Sequence, residues 1–148
     1  MPSFDDLLRC CGSGKWAEAM AARWPFADTA AMLHEADQIW RRLGPEDWLE
    51  GFRAHPKIGE RTAAGWPQRE QSGTASASTD ERAELARLNR EYQDRFGYIF
   101  IVCATGKTTA EMLDALNERL RNPPEVEIQI AAEQQRQITR LRLLKLPG

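Results

Sequence analysis

Tyr98-Ile99-Phe100-Ile101-Val102-Cys103-Ala104 is the stretch whose reading decides the fold. Its aromatic and β-branched residues carry strand propensity. A lone strand, however, leaves its backbone N–H and C=O groups without partners. The 148-residue chain offers no second convincing strand to pair with it. The alternation Val126-Ile128-Ile130 imitates one briefly, but it sits in a long run rich in Ala, Glu, Gln and Arg, and length favours helix. The stretch is therefore read as a buried extended or irregular segment. Its free backbone groups can face a ligand as readily as a neighbouring helix. The fold class that follows is all-α.

Helical patterns surround this segment. Before it, Thr79 or Asp80 can cap a long helix whose inner face is Leu85, Leu88, Tyr92 and Phe96, with Gly97 as its stop. After it, Gly106 and Thr108-Thr109 open a helix striped by Met112, Leu113, Leu116 and Leu120, and Asn122-Pro123 ends that helix. Pro124-Glu125 starts the last and longest helix, in which Val126, Ile130, Ile138, Leu141 and Leu144 fit the 3.6 period.

Towards the N-terminus, Ser3 and Asp6 resemble a capping pair for a helix with Phe4, Leu7, Leu8 and Cys11 on one face, ended by Gly12 and Gly14. Trp16, Ala19, Met20 and Arg23 continue in helical register until Pro25. From Asp28, the residues Met32, Leu33, Ala36, Ile39, Trp40 and Leu43 recur at three- and four-residue steps, and Gly44-Pro45 closes that helix. His34 lies at the edge of this stripe and reads as a helix-surface histidine. Pro45 suits a first helical position, and Trp48, Leu49 and Phe52 form the apolar face of the short helix that delivers the chain to His55. The expectation is a compact single domain over residues 1–148, built as a bundle of about seven to nine helices. Residues 72–78 have linker composition and read as a loop within it.

Composition excludes several classes of function. Hydrophobic residues make up 42% and charged residues 28% of the chain, and the net charge of −2 comes from interspersed signs. No basic block points to nucleic acid. Cys10, Cys11 and Cys103 are three in number and lack CxxC spacing, which argues for a reducing compartment and against a zinc site. The N-terminus runs into Asp5-Asp6 where a signal peptide would have a basic region, and the longest apolar run is too short to cross a bilayer. A cytoplasmic setting with no membrane partner is expected.

Chemistry then converges on few residues. The chain has no GxGxxG, Walker loop, HExxH or GxSxG pattern. Of its two histidines, His55 opens the turn His55-Pro56-Lys57-Ile58-Gly59-Glu60. Pro56 holds its own φ near −65° and pushes His55 out of the α region, so the imidazole projects from a stiff turn at a helix end. Glu70 and Gln71 stand side by side after Trp66-Pro67-Gln68-Arg69, in a segment where Pro67 suits a helix start. Arg140 and Arg142 follow on the last helix. A histidine oriented by a carboxylate can exchange protons near pH 7, and an arginine can hold a carboxylate with two hydrogen bonds. This set suits proton transfer on a small polar anion, with no metal required.

Five motifs in order carry a family resemblance: His55-Pro56-Lys57-Ile58-Gly59-Glu60, Trp66-Pro67-Gln68-Arg69-Glu70-Gln71, Leu88-Asn89-Arg90-Glu91-Tyr92 with Arg95-Phe96-Gly97, Phe100-Ile101-Val102-Cys103-Ala104, and Thr139-Arg140-Leu141-Arg142-Leu143. Together they resemble 2-oxo-4-hydroxy-4-carboxy-5-ureidoimidazoline (OHCU) decarboxylase, over nearly the whole chain. The resemblance implies a compact all-α fold, a homodimer, no metal or organic cofactor, and loss of carbon dioxide from OHCU to give (S)-allantoin in urate breakdown. It implies that His55 is the catalytic acid/base and that Glu70 orients His55 or binds the ureido group. Pro56, Pro67, Gln71, Phe100, Ile101, Val102, Cys103 and Ala104 would bind substrate, and Arg142, in preference to Arg140, would hold its anionic end.

One position departs from the family pattern. A serine usually stands three residues before the glutamate, where this chain has Pro67. Proline keeps the helix start but supplies neither a hydroxyl nor an N–H, so Thr62, Ser72 or a water would have to replace that contact. The competing readings are a lyase or hydrolase of a related ureido acid, and a non-catalytic helical binding domain. Convergence of His55, Glu70 and Arg142 on one pocket would favour chemistry.

Overall fold

The computed structural model describes residues 2–55 and 79–146. Among these residues it contains seven α-helices and no strand, so the all-α expectation holds. The helices are α1 (Phe4–Cys10), α2 (Gly14–Arg23), α3 (Thr29–Arg42), α4 (Pro45–Arg53), α5 (Thr79–Phe96), α6 (Thr109–Arg119) and α7 (Pro124–Leu144). The chain divides into two compact units, residues 1–54 with 132–148, and residues 55–131. Helix α7 contributes its first turns to the second unit and the remainder to the first.

The helix starts obey local rules. Ser3 and Asp6 form a complete capping box, as do Thr108 and Glu111, and Asp28 accepts from the Ala31 N–H at 2.7 Å. Each satisfies backbone donors that a first turn leaves free. Pro45 occupies the first turn of α4 beside Glu46 and Asp47. Gly97 follows α5 with φ +85°, a left-handed conformation that only glycine adopts without strain.

The first unit buries Trp16, Met20, Ile39, Trp40 and Phe52. The indole N–H groups of its three buried tryptophans all find backbone carbonyls: Trp16 donates to Ala36 at 3.2 Å, Trp40 to Ala132 at 2.9 Å and Trp48 to Trp40 at 3.0 Å. The second unit buries Leu85, Leu88, Tyr92, Phe100, Met112 and Leu116. In it, residues 98–104 run between α5 and α6 as an irregular segment that is almost wholly buried.

Three expectations are corrected. Gly14 does not end the first helix; it begins α2, behind a buried Ser13 cap. Phe4 is exposed, because the short α1 buries only Leu7 and Cys10, with Cys11 just beyond. On α7 the apolar stripe has the wrong ends: Val126 and Leu144 are 44% and 52% exposed. The inward line is Glu127, Ala131, Gln135, Ile138 and Arg142, at helical steps of four, four, three and four. Polar residues on this line have partners within the protein, so an apolar count could not locate it.

Candidate active site

His55 follows Ala54, the C-cap of α4, in a half-buried bend. What steadies its approach is visible in the first unit. The Gly14 N–H donates to Glu50 at 3.1 Å, joining the start of α2 to α4. Gly12 lies so close to the last turn of α4 that a Cβ on it would fall 2.4 Å from the Ala54 Cβ. Gly12 therefore serves as more than a helix stop: its missing side chain admits the residue before His55. His34 is exposed on α3, as its place beside the stripe suggested.

The two candidate arginines separate sharply. Arg140 is exposed, whereas Arg142 is 7% exposed on the inward line of α7 and donates to the Arg9 carbonyl at 3.3 Å. Around it the first unit is polar yet buried: Gln135 donates to Thr139 at 2.9 Å. Burial pushes the Cys10 thiol up to about 11, with the Arg142 charge pulling the other way, and pushes Cys11 up to about 12. Both thiols are thus neutral at pH 7 and are poor nucleophiles. Arg142 is the fixed positive group here, suited to a carboxylate or another anion.

In the second unit, Phe100, Ile101, Val102, Cys103 and Ala104 are all buried. With no helix or ladder to hold this segment, side chains must do so. The Phe100 ring meets Tyr92 edge-on, with centroids 5.3 Å apart, and the Arg119 guanidinium lies 4.5 Å from the Phe100 centroid. Arg119 also donates to the Ile101 carbonyl and, at 2.7 Å, to Glu127. Glu127 in turn accepts from the Tyr92 hydroxyl and, at 3.0 Å, from Asn122. Burial raises the Tyr92 phenol far above its ordinary value, so it remains a neutral donor. Sequence reasoning missed Arg119 and Glu127 altogether. The available signal was the four-residue step from Glu127 to Ala131, which places the carboxylate on the inward line of α7.

The structure thus places His55 after α4, Arg142 inside the first unit, and residues 100–104 inside the second. Pro56, Pro67, Glu70 and Gln71 lie outside the described residues, as do the turn at 57–60, the Trp66–Gln71 helical turn and the loop at 72–78. Among the described residues no group of His, Cys, Asp or Glu could hold a metal ion, and no helix is long and apolar enough to cross a membrane.

Comparison with known proteins gives a consistent result. The family model described as OHCU decarboxylase matches residues 3–144. The chain is 42% identical over 150 residues to the uric acid degradation bifunctional protein TTL of Arabidopsis thaliana, covering 96% of this chain and 46% of that protein. It therefore spans about half the length of that relative. It is 37% identical over 134 residues to the 2-oxo-4-hydroxy-4-carboxy-5-ureidoimidazoline decarboxylase of Amia calva, covering 83% of this chain and 76% of that one. A crystal structure of OHCU decarboxylase in the presence of (S)-allantoin matches with a TM-score of 0.86 and 42% identity, over 95% of this chain and 96% of that one.

Proposed function

We propose, because the chain belongs to the OHCU decarboxylase family, that it converts OHCU to (S)-allantoin and carbon dioxide as part of urate degradation. The observation that carries this reading is the likeness, at 42% identity over 95% of the chain, to an OHCU decarboxylase crystallised with (S)-allantoin.

The substrate carries its own electron sink, so the reaction proceeds without a cofactor. As the C4 carboxylate leaves as carbon dioxide, its bonding pair forms a C4=C5 bond and the C5=N pair moves onto nitrogen. Protonation of that nitrogen, loss of the C4 hydroxyl proton and protonation at C5 then give the C4 carbonyl and the stereocentre. His55 is the acid/base for this proton traffic, since an imidazole exchanges protons near pH 7. Its place directly after the braced end of α4 supports the role. Glu70 orients His55 or binds the ureido group, and Gln71 binds polar ring or ureido atoms. Pro56 and Pro67 belong to the substrate-binding set. Residues 100–104 contact the ligand through their backbone. Arg142 holds the anionic end, and its burial beside Arg140's exposure supports that assignment. Residues 1–148 constitute a single OHCU decarboxylase-like domain, in a cytoplasmic homodimer.

The test is a circular-dichroism assay. Uricase and hydroxyisourate hydrolase generate OHCU freshly, and wild type is compared with His55→Ala. Spontaneous decay yields racemic allantoin, so an optical signal reports enzyme. The expected result is a growing (S)-allantoin signal that a folded His55→Ala variant lacks. Wild type that gives no signal above the uncatalysed control sinks the activity.

A further inference from the structure

We propose that Arg119 is a positioning residue for substrate binding, fixing the backbone of residues 100–104 through its grip on the Ile101 carbonyl. This rests on the reading that residues 100–104 contact the substrate.

Arg119 and Glu127 form a salt bridge with N–O 2.6 Å, and their side chains are 8% and 0% exposed. Burying such a pair costs heavy desolvation, and well-packed apolar residues commonly serve stability as well or better. What apolar residues cannot do is hold a backbone carbonyl at a set place. The guanidinium does this while also satisfying Glu127, because its planar fork offers five donors in fixed directions. The node joins α5 through Tyr92, α6 through Arg119 and α7 through Glu127 onto one irregular segment. That segment has no ladder of its own. The Arg119 bond to Ile101 and the contacts of the Phe100 ring hold its centre.

A removal of Arg119 alone leaves the Glu127 carboxylate buried and uncompensated, so two gentler variants carry the test. Arg119→Lys keeps the charge beside Glu127 but loses the fork. The double variant Arg119→Met with Glu127→Gln removes both charges and keeps an amide that can meet Tyr92 and Asn122. Two readouts are taken on the full chain: hydrogen–deuterium exchange of the peptide covering 98–104, and KM and kcat in the (S)-allantoin assay.

The expected result is faster exchange at 100–104 in both variants. With it, kcat/KM falls about ten- to a hundredfold, mainly through KM, as expected when a binding surface shifts by a fraction of an ångström. A merely structural role would lower the active fraction, and so apparent kcat, while leaving KM alone. Unchanged exchange at 100–104 overturns the proposal. Faster exchange with unchanged KM overturns it too. A wild type that forms no (S)-allantoin overturns the functional reading and this proposal with it. The exchange data keep the two failures apart, since they report the grip on Ile101 independently of turnover.

Discussion

The two units bury polar groups in different ways. In the first, three indole N–H groups reach backbone carbonyls at 2.9–3.2 Å, and Gln135 reaches Thr139. These are neutral bonds within and between helices; the unit's buried charge, Arg142, donates to the Arg9 carbonyl. In the second, a full ion pair is buried under Tyr92 and Phe100 and spends one of its donors on an irregular segment. The difference follows from what each must hold. Helices satisfy their own backbones, so neutral side-chain bonds suffice to set their register. A segment with no ladder needs a donor that can grip several acceptors at once, and arginine does that.

The contrast breaks most sharply under single charge removal. Arg119→Met should destabilise the fold by about 3–5 kcal/mol, since it strands a buried carboxylate. Urea unfolding followed by far-UV circular dichroism measures this. Adding Glu127→Gln should recover most of the loss. If the double variant is as unstable as the single one, the charges matter less than the shape of the node.

Next in size is Trp40→Phe, which removes the indole donation to the Ala132 carbonyl and part of a buried ring. The expected cost is about 1–3 kcal/mol. A loss equal to that of Arg119→Met would mean that neutral and ionic bonds are equivalent here, and the comparison between units would fall. Ser13→Ala sharpens the first unit further. Ser13 is fully buried and accepts from the Trp16 N–H at 3.3 Å, so losing this cap should cost about 1 kcal/mol by thermal or urea unfolding.

The smallest effect is at the surface. The hydrogen bond from Arg136 holds the Glu133 carboxyl below its ordinary value of 4.5. A lowered folded-state value means that the stabilisation is present above the unfolded value and is lost as pH falls through the folded one. Because Glu133 is substantially exposed, Glu133→Gln should cost no more than about 0.5 kcal/mol at pH 7. The gap between wild type and variant should close as acidification protonates the Glu133 carboxyl in both states. A gap that widens in acid would reverse the sign assigned to this pair.

Much of the fold was legible because its signals are local. Ser3 with Asp6, Asp28, Pro45 and Thr108 each announce a helix start through groups within three residues. The refusal of residues 98–104 to be a strand could be argued from the missing partner alone. The candidate site was legible only in part. Arg142 over Arg140 came from the family pattern, and burial on α7 separates the two physically. Arg119 and Glu127 escaped notice because each has a sufficient local explanation. An arginine in a last turn and a glutamate in a first turn both complement a helix dipole, and so read as solvated ends.

What the sequence by itself determined is where the described helices lie, several of their caps, the irregular segment between α5 and α6, and a family likeness spread over five motifs. These depend on interactions a few residues apart, which periodicity and capping chemistry report directly. What only the tertiary structure decided is which polar groups go inside: Glu127 in place of Val126 on α7, Arg119 against Ile101, and Gly12 against Ala54. A buried charge is tolerable only when its partner arrives from elsewhere in the chain, and that arrival is a property of packing, which no local pattern encodes.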